Sequence, residues 1–95
     1  MKFLAIEKEL ESHGFSEEIL KREAAQVWEL EKAGIIREIY FKKEIKEAII
    51  ILECENMESA ALYLSTLPLV QENLSDFSIS ELIPYDGYDR LFASS

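Results

Sequence analysis

Arg37 and Glu38 stand side by side, with Tyr40 two residues further on, and a second strand-like segment ends in Glu53. These residue types suit one kind of chemistry. A guanidinium fork matches a small carboxylate, and a glutamate can move a proton between carbons once burial lifts its pKa towards neutral. The developing enolate then needs a neighbouring cation or hydrogen-bond donor. Glu7, Glu38, Glu53 and Glu81 are the carboxylates on predicted strands, and Glu38 and Glu53 are the candidate bases. Arg37 is the candidate anchor, while Tyr40 and Trp28 are either ligand platforms or core aromatics. Strand alternation puts Glu38 on one face with Ile36 and Tyr40, and Arg37 on the other with Ile35, Ile39 and Phe41. A regular strand therefore cannot aim Arg37 and Glu38 into one cleft, although a bulge would.

Other chemistries find no support. There is no His/Cys cluster at zinc spacing, no phosphate-cradling loop and no nucleophile elbow, and three glycines are too few for such loops. The single histidine, His13, falls in a polar connection with no triad partner nearby. The lone Cys54 cannot form an internal disulfide and closes a very apolar strand, where it reads as a small buried hydrophobe. The expectation is chemistry without metal or cofactor.

Six segments must position these residues. Met1–Lys8, Ile35–Phe41, Lys46–Cys54 and Phe77–Ile83 read as strands, and Ser16–Ala33 and Met57–Leu67 as helices. Ser16 and Asn56 are N-caps, Gly34 sits where a C-cap glycine belongs, and Pro68 stops the second helix. Leu20, Ala24, Val27, Trp28 and Glu31 follow helical spacing and are expected to face the sheet. The βαββαβ order is that of a ferredoxin-like α+β domain, an antiparallel four-stranded sheet with two helices on one face. Ala48-Ile49-Ile50-Ile51-Leu52 is apolar on both strand faces, so the other sheet face must also be covered. In a chain of 95 residues the cover expected is a second copy. Residues 1–84 form the domain, and 85–95 a tail whose Tyr85, Tyr88 and Phe92 suit packing on its own or a partner subunit.

Charge and length narrow the partners. A net charge of −9 argues against nucleic acid, whose binders need a basic face. No apolar run approaches the ~20 residues that span a bilayer, and the apolar start is too short for a signal peptide, so a cytoplasmic location is expected. Lys42, Lys43 and Lys46 cluster around a hairpin turn. They either solvate an edge strand or draw an anion towards the strand of Arg37.

Glu31-Lys32-Ala33-Gly34, the strand with Arg37, and the Leu67-Pro68-Leu69 turn together resemble the muconolactone delta-isomerase family, with Glu23 and Leu30 also shared. The resemblance follows element order over residues 1–84. It implies a dimeric α/β barrel, often assembled into larger rings, with itself and a small carboxylate as partners. It also implies cofactor-free proton transfer within an unsaturated lactone acid, and roles for Arg37 and Glu23 in binding the substrate. The family pattern has a histidine directly after the arginine, where this chain has Glu38.

Overall fold

The computed structural model describes residues 1–10 and 14–92; His13 lies outside them. Four antiparallel strands, β1 (Lys2–Glu9), β2 (Ile36–Phe41), β3 (Ala48–Glu53) and β4 (Ser75–Leu82), form one sheet in the order β2-β3-β1-β4. Helices α1 (Glu17–Lys32), α2 (Met57–Leu64) and α3 (Pro68–Gln71) lie on one face, and α4 (Asp89–Phe92) is a single turn in the tail. This is the ferredoxin-like arrangement that the segment order predicts.

Local chemistry sets the helix ends. Ser16 Oγ accepts the Ile19 N–H at 3.2 Å, and Asn56 Oδ1 accepts that of Ser59 at 2.8 Å. Gly34, at φ +79°, closes α1 in a Schellman motif: Ile35 N–H reaches the Leu30 carbonyl and Gly34 N–H that of Glu31. Asn73, at φ 58°, does the same after α3, with Leu74 N–H bonded to the Leu69 carbonyl. Pro68 has a different role from the one predicted. The second helix ends at Leu64, and Pro68 opens α3, where its fixed φ and missing N–H suit the first helical position.

The helical stripe of α1 is rotated from the predicted one. Ile19 and Leu30 are buried, with Glu23, Gln26 and Val27 half-buried between them, whereas Leu20, Ala24, Trp28 and Glu31 are exposed. Two polar residues on the inward face disguise it, and both are satisfied there. Gln26 Nε2 donates to Thr66 Oγ1 at 2.9 Å, and a Glu23 carboxylate oxygen accepts the Leu69 N–H at 2.9 Å.

The sheet has two distinct faces. Beneath the helices, Phe3, Ala5, Ile36, Ala48, Ile50 and Leu52 are buried and join Leu30, Ala60, Leu64 and Leu67 in one core. The strand register builds the other face in rows. Glu53, Lys2 and Leu82 form one row; Glu38, Ile51, Leu4 and Ser80 the next; Tyr40, Ile49, Ile6 and Ser78 the third. Among the described residues no helix covers this face, and Leu4, Ile6, Ile49 and Ile51 on it remain half-exposed.

Candidate functional site

The β2–β3 ladder slips by one residue. Ile36 pairs with Leu52, but the next pair is Glu38 with Ile51, so Arg37 is an extra residue in a β-bulge. Before the bulge Ile36 points under the helices, and after it Glu38 and Tyr40 fall on the open face. The Arg37 guanidinium reaches that face as well, with Nη1 3.9 Å from Glu53 Oε1. Strand alternation alone would put Arg37 and Glu38 on opposite faces, and the bulge lifts that constraint. The expected pairing of Ile36 with Glu38 on one face fails for the same reason.

Three of the chain's features make room for this corner. The Schellman turn delivers the chain from α1 directly into β2. Gly34 supplies the left-handed φ of +79° that this turn needs, and lies beside the Arg37 guanidinium. Glu53 is held at the end of β3 by its N–H, which bonds the Ile35 carbonyl at 2.8 Å.

One further contact shapes the site. The Tyr40 hydroxyl donates to Glu38 Oε1 at 2.7 Å, which fixes the carboxylate and pushes the phenol pKa up. Glu38, Arg37, Glu53 and Tyr40 thus form a charged corner at the β2 edge. The apolar band of Ile49, Ile51, Leu4 and Ile6 lies beside it, and Ser78 and Ser80 lie beyond. A flat molecule with an apolar body and an acidic end fits this division. Arg37 and Glu53 are close but half-exposed, so the corner becomes a closed cleft only when something covers the face.

The other predicted residues lie elsewhere. Glu23 is on the helix side, where its bond to Leu69 N–H supplies the cap that Leu67, the residue preceding α3, lacks in its own side chain. Burial pushes the Glu23 carboxyl up, against the lowering effect of that bond, and the Glu7 carboxylate adds to the rise. Glu7 is also under the helices, buried, with Oε1 accepting the Ala48 N–H at 2.8 Å. Trp28 is exposed on the outer side of α1, with Lys32 Nζ 5.9 Å from its ring centre. Neither Glu23 nor Trp28 joins the Arg37 corner.

The lysine cluster is also remote from Arg37. Lys42 follows the far end of β2, about 16 Å along the chain from Arg37 at the usual strand rise. It is engaged by Glu47, with Nζ 3.2 Å from Oε1. Half-burial pushes the Cys54 thiol up, and its Sγ donates to the Asn56 carbonyl at 3.6 Å, consistent with an inert packing residue. A depression of about 380 Å³ lies between the start of α1 and Leu74, lined by Phe15, Ile19, Arg22 and Glu72 among others, well away from the bulge.

The chain matches no protein-family profile and no curated protein sequence. Among solved structures it is similar to 5-chloro-2-hydroxyhydroquinone dehydrochlorinase (TftG) from Burkholderia phenoliruptrix AC1100, determined in complex with 2,5-dihydroxybenzoquinone. The TM-score is 0.64 over 92% of this chain and 98% of that one, at 15% identity, a likeness of fold.

Proposed function

We propose that the open sheet face binds a small carboxylate-bearing molecule at Arg37 and moves a proton within it, without metal or cofactor. The observation that carries this reading is the bulge, which gathers Arg37, Glu38 and Glu53 at one corner. In the reaction Glu38 takes a proton from a carbon beside an unsaturated carbonyl, leaving an enolate whose charge the Arg37 guanidinium offsets. The carboxyl then returns that proton to a different carbon, so the product is an isomer and no oxidant is consumed. Tyr40 orients Glu38 through its hydroxyl. The fold likeness to an enzyme solved with a small ring compound supports a small-molecule ligand.

The cover of the face is a second copy of the chain, in the manner of a dimeric α/β barrel. Ile49, Ile51, Leu4 and Ile6 offer a contiguous apolar band that one copy leaves half-exposed. The tail adds to the interface. Its Tyr85, Tyr88, Leu91 and Phe92, with Ile83 just before it, are each at least 65% exposed. The radius of gyration is 16.0 Å, against roughly 12 Å for a compact chain of this length.

The test is a thermal-shift screen of small hydroxy-, keto- and lactone acids, repeated on Arg37→Ala. A stabilising acid whose effect disappears in the variant is the expected result. A hit that stabilises both proteins equally removes Arg37 from the site. The second reading is a dimer that binds such a molecule without transforming it; exposure of both Glu38 and Tyr40 in the single chain favours it. Conversion of a confirmed ligand, followed by proton NMR in deuterated water, separates the two.

A further inference from the structure

The Arg37–Glu53 pair is loosely made. At 3.9 Å the contact is too long for a hydrogen bond, and among the described residues the guanidinium donates none. Both side chains are substantially exposed, at 52% and 39%. Such a pair exchanges readily, whereas a ligand carboxylate can take two N–H groups of the fork at once. Glu53 cannot retreat with its backbone, which is held to Ile35, so only its side chain can move. A displaced Glu53 carboxylate would then face the incoming anion as a like charge, unless a second cation receives it.

Lys2 is placed to do so. It is the direct cross-strand partner of Glu53 in the β1–β3 ladder and lies on the same open face. Side chains directly opposite in an antiparallel pair start about 5 Å apart at Cβ, well within reach of a lysine and a glutamate. Among the described residues Lys2 forms no ion pair.

We propose that Glu53 competes with an external carboxylate for Arg37 and, on losing it, swings to Lys2. Glu53 is then an internal stand-in for the ligand's acid group, and Lys2 is a positioning residue that acts through Glu53 without touching the ligand. The exchange rests on the reading of Arg37 as a carboxylate anchor. It also selects among ligands: an acid that engages both guanidinium edges displaces Glu53, and a neutral amide or ester does not.

The test is an NMR titration with sodium benzoate on the full chain, comparing the wild type with Glu53→Gln, Lys2→Gln, the double variant and Arg37→Ala. Glu53→Gln removes the competitor and tightens benzoate binding about threefold. Lys2→Gln weakens binding about twofold in the wild-type background and leaves the Glu53→Gln affinity unchanged. The Glu53 carboxyl carbon shifts on titration in the wild type and less in Lys2→Gln. Equal weakening by Lys2→Gln in both backgrounds would mean general attraction of the anion, and would overturn the exchange. So would a Glu53→Gln protein that binds benzoate no more tightly than the wild type. If Arg37→Ala binds as well as the wild type, or none of the proteins binds benzoate at millimolar concentration, the anchor reading fails and the exchange with it. If binding requires Arg37 but ignores Glu53, only the exchange fails.

Discussion

Glu23 on α1 and Leu69 on α3, 46 residues apart in the chain, meet in one hydrogen bond, the Leu69 N–H donating to the Glu23 carboxylate at 2.9 Å. Leu67, at the N-cap position, has no side chain able to cap α3, and Glu23 takes over from another helix. The Leu67-Pro68-Leu69 turn and Glu23 are therefore two halves of one structural device.

Removing that acceptor should destabilise the protein. Glu23→Ala is expected to cost about 1 kcal/mol, the usual value of a helix cap, and Glu23→Gln to retain most of it through the amide oxygen. The pH dependence separates charge from capping. The Glu23 carboxyl is raised above its ordinary 4.5, chiefly by burial, so its contribution is fully present below that value and declines as pH rises through the raised one. Glu23→Gln lacks this decline, so its stability relative to the wild type should rise as pH climbs from 4.5 through the raised value and level off above it. A flat difference in urea midpoints across that window contradicts the assignment.

Glu47 should behave in the opposite sense. Its carboxyl is held below 4.5 by the Glu9 N–H first and by Lys42 next. Oε2 accepts the Glu9 N–H at 3.2 Å and Oε1 faces Lys42 at 3.2 Å. Its stabilisation is complete above the ordinary carboxylate value and lost as pH falls through the lowered one. Glu47→Gln is expected to lower the melting temperature at neutral pH and to converge with the wild type in strong acid.

Gly34→Ala isolates backbone strain. The new Cβ meets nothing closer than Arg37 Nη1 at 3.8 Å, an ordinary contact, so the cost comes from the φ of +79°. A loss of about 1 kcal/mol in urea unfolding is expected, with Arg37-dependent ligand binding retained.

Two neighbours in β3 distinguish folding from association. Ile50 is 1% exposed under the helices, and Ile50→Asp should unfold the protein by burying an unpaired charge. Ile51 is on the open face, half-exposed, and Ile51→Asp should leave the circular dichroism spectrum intact. If a second copy covers that face, sedimentation will show at least a dimer for the wild type and a monomer for Ile51→Asp. A monomeric wild type at micromolar concentration contradicts the proposed cover.

The tail is tested by truncation after Pro84. The described tail residues add nothing to the core cluster, so the shortened chain should fold with an unchanged core. If the tail packs on a partner, the dimer dissociates at lower dilution than the full chain requires.

Much of the architecture is legible because it depends on local rules. Ser16, Asn56 and Gly34 act within a few residues of themselves, and the apolar run Ala48–Leu52 marks a strand whose Ala48, Ile50 and Leu52 are buried under the helices. The α1 stripe misleads for a physical reason: its inward face carries Glu23 and Gln26, whose partners, Leu69 and Thr66, are 46 and 40 residues away. Trp28 and Leu20 look like core residues beside them and are not.

By itself the sequence determined the βαββαβ order, the caps at Ser16, Asn56 and Gly34 and the presence of a strand apolar on both faces, since each follows from side-chain size, polarity and spacing. Only the tertiary structure decided that Arg37 falls in a bulge and reaches Glu53 at the end of the neighbouring strand. A bulge is a mismatch between two strands, so its place depends on how β2 meets β3 and cannot be read from β2 alone.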